Sequence, residues 1–234
     1  MRTFSVEVWG DFACFTRPEA KVERLSYPVM TPSGARGVLD AIYAKPIEFS
    51  WRIEKIEVLN PIQFIALRRN EIKDKIGERA VLAAARRGEE FQPIIADATR
   101  EMIGSDQKGR TQRQTIALKN VRYQIHAHIK PQQGLENRIK ALESQAERRI
   151  ASGKCFYQPY LGCREFTAYF VPGEEKVKTI AKNIELGWML YDVFNLEKVD
   201  IGTAKPYVSL FQAKLVNGVL EVPPWESELV KKPS

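Results

Sequence analysis

Polar and apolar residues alternate where the chain begins. In TFSVEVW, Phe4, Val6 and Val8 fall on one side, the period-two pattern of a half-buried strand over 3–9. After a loop, TPSGARGVLDAIYA changes to helical spacing. Thr31 stands where a side-chain oxygen caps the first turn, and Pro32 where a missing N–H costs nothing. Val38, Leu39 and Ile42 then form an inward stripe. Gly34 and Gly37 lower the propensity of this helix, which points to close approach of its first turn to the sheet or to a ligand.

SWRIEKIEVLN and IQFIALRRNEI carry strand patterns on either side of a turn at Asn60-Pro61. Residues 72–87 have a basic helical pattern that stops near Gly88, and 88–109 form an irregular insertion. A long strand follows, with Tyr123, Ile125, Ala127 and Ile129 facing one way and Gln124, His126 and His128 the other. The clearest helix covers 132–152, where Leu135, Ile139, Leu142, Ala146 and Ile150 recur before a stop at Gly153. KCFYQPYLGCREFTAYFV gives a loop and a strand. From 173 onward, ELGWMLYDVF is aromatic-rich strand and VSLFQAKLVNGVLEVPPW is a hairpin turning on Asn217-Gly218. The order is β-α-β-β-(insertion)-β-α-β, and without the extra strand it is the split βαβ arrangement. The expected fold is α+β. It has a ferredoxin-like (RRM-like) domain over 1–172 with an insertion at about 72–109, and a small antiparallel β-sheet domain over 173–234.

Charge changes the picture. The 234 residues carry a formal +7, unevenly: residues 108–154 hold eleven Lys or Arg against three Glu, a net of +8, while the rest hold 25 basic and 26 acidic residues. A concentrated excess marks a surface for an anionic partner such as nucleic acid. Within it, RTQRQTIALKNVRYQIHAHIK contains no acidic residue and both histidines of the chain. Cys14, Cys155 and Cys163 form no C-x-x-C pair, so neither a disulfide framework nor a zinc site is expected. Glu7 and Asp11 interrupt any leader-like apolar start, and no apolar run approaches the roughly 20 residues of a membrane helix. A soluble, cytoplasmic protein is expected, without contact to a membrane.

Several chemistries lack their residues. The acidic residues are dispersed, with no D-x-D, H-E-x-x-H, P-loop, dinucleotide fingerprint or G-x-S-x-G elbow, so no metal or other cofactor is expected. His126 and His128 share a strand face at chelating spacing but have no third ligand in view. The aromatic signature of RNA-recognition motifs is absent as well, so base stacking on the central sheet is not expected.

VEVWGDFACFTRPEAKVERLSYPVMTPSGARGVLDAIYAKP, RTQRQTIALKNVRYQIHA, CFYQPYLGCREF and FQAKLVNGVLEVPPW closely resemble the CRISPR-associated RAMP proteins of subtype I-C, the fifth Cas family. The resemblance runs over nearly the whole chain. It implies an endoribonuclease that cuts the repeat hairpin of precursor CRISPR RNA. The enzyme then stays on the mature RNA's 5′ tag among the other subunits of a type I-C interference complex. It also implies a catalytic Tyr at the end of the first helix with an adjacent basic-residue and His pair. By motif position these fall on Tyr43, and on Arg113 and Gln114. This chain departs from the pattern by carrying an amide where an imidazole is expected.

Metal-free RNA cleavage uses the ribose 2′-OH as nucleophile, so one group takes its proton and another protonates the leaving 5′-oxygen. Arg113 can stabilise charge at phosphorus but not move a proton, and Gln114 can only orient the phosphate. Tyr43 could act as base if nearby cations lowered its pKa, and His126 or His128 are substitutes. Arg110, Lys119, Arg122, His126, His128, Arg138, Arg148 and Arg149 are the expected RNA contacts. The alternatives are a non-catalytic guide-RNA-binding subunit, for which Gln114 is the best argument, and general binding of duplexes, DNA included.

Overall fold

The alternating start becomes β1 (Thr3–Ala13), with Val6 and Val8 fully buried. A computed structural model describes residues 2–20, 22–91, 93–95, 100–104, 109–197 and 206–233. After β1 come β2 (Arg24–Leu25), α1 (Pro32–Ile42), β3 (Phe49–Val58), β4 (Phe64–Ile72), α2 (Glu78–Arg87), α3 (Arg100–Ile103) and β5 (Arg110–Pro131). A 3-10 turn at Glu136–Arg138 leads into α4 (Ile139–Ala151), followed by β6 (Tyr169–Pro172), β7 (Ile184–Asp192), β8 (Ser209–Val216), β9 (Val219–Glu221) and β10 (Val230–Lys231). The fold is mixed α/β, with a large antiparallel sheet and few helices. Among the described residues no helix is long and apolar enough to cross a membrane.

The chain forms two compact units, Met1–Ile65 with Ile116–Ser234, and Ala66–Thr115. In the first, the strands lie in the order β10-β8-β9-β3-β5-β1-β6, with β7 on β8 and β2 on β5. β1 pairs antiparallel with β5 and β6, and β3 with β5 and β9, so the C-terminal strands continue the main sheet. α1 packs on β3 and β7, and α4 on β6 and α1. In the second unit β4 pairs with β5, and Gly109 N–H donates to Asp74 Oδ2 at 2.6 Å.

Local signals explain most of these elements. Thr31 Oγ1 accepts from Gly34 N–H at 3.1 Å, and Ala35, Val38, Leu39 and Ile42 are the buried face of α1. The two glycines of that helix differ. A Cβ on Gly34 would meet the Phe15 ring at 2.9 Å, whereas one on Gly37 would have nothing within 4 Å. Asn217 and Gly218 take φ of 49° and 76°, the left-handed pair that a two-residue hairpin turn needs.

Two helix boundaries differ from the sequence pattern. The helix expected over 72–87 begins at Glu78, because β4 runs on to Ile72. The helix expected over 132–152 begins at Ile139: Gly134, at φ 83°, holds the chain out of helix, and Leu135 stands before the 3-10 turn. The segment expected to be irregular, 88–109, contains α3, and its residues 92, 96–99 and 105–108 lie outside the described ones.

Candidate functional site

Tyr43 ends α1. Its N–H still bonds to Leu39 O at 2.8 Å, but its own backbone is extended, and its carbonyl accepts from Trp51 Nε1 at 2.8 Å. The residue is 2% exposed, its ring 5.1 Å from that of Phe49 and 6.5 Å from that of Phe156, nearly parallel to the latter. Phe156 N–H donates to Ala41 O at 2.7 Å, which fastens its loop to the last turn of α1.

Cations collect around this end of the helix. Arg149 Nη1 donates to Ile42 O at 3.0 Å, meeting one of the carbonyls a helix leaves unsatisfied at its C-terminus. The Arg149 guanidinium carbon is 5.9 Å from the Tyr43 ring centre. Glu48 binds Lys45 Nζ at 2.9 Å and Arg138 Nη1 at 2.8 Å, so these two cations share one carboxylate. Burial is the largest influence on the Tyr43 phenol and pushes it up; Lys45 pulls it down, Glu48 adds to the rise, and Arg149 and Arg138 oppose it. The balance lies above the ordinary value. At neutral pH such a phenol keeps its proton, which suits an acid for a leaving oxygen better than a base for the 2′-OH.

The other residues singled out in the sequence are dispersed. Arg110, Arg113 and Gln114 lie on the part of β5 within the second unit; Arg113 Nε is 3.5 Å from Glu71, and Arg110 and Gln114 are exposed. Lys119 is half-buried on β5, its N–H donating to Gln63 O at 3.0 Å. Arg122 is bound by Glu7, with Nη2 2.6 Å from Oε1. Arg148 is exposed and donates to Gln145 Oε1 at 2.6 Å. Tyr43, Arg138 and Arg149 come together.

The histidines sit elsewhere. Trp51 pairs with Ile129 and bonds to Tyr43, which puts the Ile125, Ala127 and Ile129 side of β5 toward α1 and His126 and His128 on the other side of the sheet. His126 Nε2 is 2.7 Å from Glu57 Oε2, and His128 Nδ1 is 2.7 Å from Glu54 Oε1. Gln124, fully buried, donates to Glu57 Oε2 at 3.0 Å and to Glu174 O at 3.0 Å. Burial pushes the Glu57 carboxyl up, but hydrogen bonds from Lys55 and His126 outweigh it and hold the group below its ordinary value.

Lys45, Glu48 and Phe156 escaped the sequence pattern. Lys45 stands two residues after Tyr43 in the same AIYAKP block, a signal that was available. Phe156 lies in the CFYQPYLGCREF block, but neither its distance to Tyr43 nor that of Glu48 can be read from spacing.

A family model described as CRISPR-associated protein (Cas_Cas5) matches residues 3–223. The CRISPR pre-crRNA endoribonuclease Cas5d of Mannheimia succiniciproducens is 42% identical over 237 residues, covering 97% of each chain. Its namesake from Thermus thermophilus is 35% identical over 235 residues, with 95% of this chain and 92% of the relative covered. Two solved structures share the fold at 21% identity. One is a CRISPR-associated protein with a TM-score of 0.63, covering 98% of this chain and 96% of its own. The other is the functionally uncharacterized protein SMU1763c from Streptococcus mutans, with a TM-score of 0.60, covering 98% and 97%. With a near-complete family match and two relatives above 30% identity along almost its full length, the chain belongs to the Cas5 family of CRISPR-associated proteins, in its Cas5d branch.

Proposed function

We propose that this protein is a metal-independent endoribonuclease that cuts the repeat hairpin of precursor CRISPR RNA and remains on the 5′ tag within an interference complex. The relatives named as pre-crRNA endoribonucleases support the substrate. The observation that carries the chemistry is Tyr43 at the end of α1 with Lys45, Arg138 and Arg149 gathered near it, its phenol raised above its ordinary value by burial. The ribose 2′-oxygen forms a bond to the adjacent phosphorus and the bond from phosphorus to the 5′-oxygen breaks. Tyr43 gives that oxygen its proton, and the 2′-OH proton passes to solvent. The products are a 2′,3′-cyclic phosphate and a 5′-OH. Lys45, Arg138 and Arg149 offset the charge that grows on the phosphoryl oxygens.

Arg113 and Gln114 enter this reading as RNA contacts of the second unit, a cation for phosphate and an amide for orientation. Arg110, Lys119 and Arg148 add further backbone contacts. The order β6-β1-β5-β3, with α1 and α4 as crossovers, supports a ferredoxin-like arrangement over 1–172, and the antiparallel strands of 173–234 extend its sheet through β9 on β3.

Incubating the purified protein with its own repeat RNA in excess EDTA tests the reading. A single cut leaving a 2′,3′-cyclic phosphate is expected, and Tyr43→Phe should slow it by roughly 10² to 10⁴ without weakening RNA binding. If the wild type binds the RNA but never cuts it, the second reading holds, a non-catalytic guide-RNA-binding subunit, which Gln114 favours.

A further inference from the structure

A cavity of about 380 Å³ opens beside the end of α1. Two of its walls belong equally to the surroundings of Tyr43. Lys45 is the ion-pair partner of Glu48, and the Phe49 ring lies 5.1 Å from that of Tyr43. Two other walls are partly exposed rings, Tyr157 at 52% and Phe194 at 49%, the latter with the Arg36 guanidinium carbon over one face, 5.2 Å from its centre. An exposed aromatic face is the usual platform for an unpaired base, since every base has a π-face to stack on it. The volume falls within the roughly 300–1,000 Å³ of small-ligand pockets, enough for one nucleobase with its sugar.

The cavity also has a polar handle. Asp40 lines it, and Oδ2 of that carboxylate is held by Arg36, whose Nε and Nη2 are bound by Asp192 at 2.6 and 3.0 Å. Three of the five N–H donors of Arg36 are thus engaged by two carboxylates. Asp40 Oδ1 has no hydrogen-bond partner among the described residues and remains an acceptor at the cavity wall. An acceptor there suits the exocyclic amino group of adenine, cytosine or guanine; uracil carries a carbonyl in its place, with the ring N3–H as its base donor. Gly37 lines the same space with no atom within 4 Å of where a Cβ would stand, so the helix is open on this side.

We propose that this cavity binds one unpaired, amino-bearing nucleobase next to the scissile phosphate, stacked by Tyr157 and Phe194 and selected by Asp40. A nucleotide seated there can reach with its phosphate toward Lys45 and the cations at Tyr43. The inference rests on Tyr43 as the cleavage centre.

The test uses the full-length protein and its repeat RNA with abasic sites placed one at a time around the cut. At one position, loss of the base should lower single-turnover cleavage about tenfold, within the range that base–aromatic stacking contributes. Gly37→Leu puts a side chain at the cavity wall on a Cβ that meets nothing within 4 Å, so the melting temperature should hold while cleavage of intact RNA falls by a similar factor. On the RNA that is abasic at the sensitive position, Gly37→Leu should lose nothing more. Uracil at that position should be cut slowly by the wild type and faster by Asp40→Asn, whose amide can donate. Equal cutting of every abasic RNA, or full activity of Gly37→Leu on intact RNA, overturns the pocket and leaves the cleavage reading intact. If the wild type binds without cutting, the cleavage reading fails and the same RNAs are scored by affinity. Additive losses at every position would then overturn the pocket too.

Discussion

The Arg149 guanidinium carbon lies 4.0 Å from the centre of the Phe156 ring, while its Nη1 donates at 3.0 Å to the Ile42 carbonyl. One side chain thus closes α1 and holds an aromatic loop beside Tyr43. Arg149→Met keeps most of the stem but loses the bond, the charge and the contact with the ring. Thermal unfolding should show a loss of about 1.5–3 kcal/mol, the range for a hydrogen bond to a charged group. Cleavage by the folded protein should fall as well, because Tyr43 loses a neighbouring cation. An unchanged melting temperature would remove Arg149 from the account of how α1 ends.

His126 faces away from Tyr43 and is engaged by Glu57. His126→Ala should therefore destabilise by about 1–3 kcal/mol, by stripping partners from buried polar groups, while the folded protein cuts RNA within a few-fold of wild type. Glu57 sits below its ordinary pKa, so its stabilisation is present above the unfolded value and lost as pH falls through the depressed folded one. Urea midpoints followed from pH 6 downward should drop below about pH 4.5, and less steeply in the variant. A collapse of cleavage in folded His126→Ala would return the histidine to the chemistry.

Salt dependence separates paired from available cations. Log K against log salt should be linear for the repeat RNA, and Arg148→Gln should reduce the slope by about 1. Arg122→Gln should change it much less, since Glu7 already neutralises that guanidinium. Equal slopes for the two variants would refute the distinction.

Two glycine substitutions probe the backbone in opposite directions. Gly218 has φ 76°, and a Cβ there would come within 2.4 Å of Ile180 O. Gly218→Ala should cost about 1–3 kcal/mol in chemical denaturation. Gly37→Ala meets nothing within 4 Å and should stabilise by up to about 1 kcal/mol through helix propensity. A neutral Gly218→Ala would mean that the hairpin turn tolerates a different geometry.

Much of the fold is legible in short stretches, because the constraints there are local. Alternation around Val6 and around Ile125 specifies which side of a strand is buried, Thr31-Pro32 starts a helix, and Asn217-Gly218 supplies the two left-handed residues of a hairpin. The starts of α2 and α4 are not legible in this way, because propensity alone does not show that β4 extends to Ile72, or that Gly134 adopts a positive φ. Gly34 and Gly37 looked alike in sequence. Only the Phe15 ring under one and the open cavity beside the other tell them apart.

For the site, the sequence by itself determined that positive charge is concentrated in 108–154 and that a tyrosine ends the first helix. Which of those charges remain available was decided by the tertiary structure. Glu7, Glu54 and Glu57 lie outside the basic segment, yet the sheet register brings them onto Arg122, His128 and His126. Folding of α4 against α1 brings Arg149 to Tyr43, and Arg138 arrives through Glu48. Burial then outweighs those cations and raises the phenol above its ordinary value. Coulombic interaction and desolvation depend on distances and exposure in space, and neither varies in any simple way with separation along the chain.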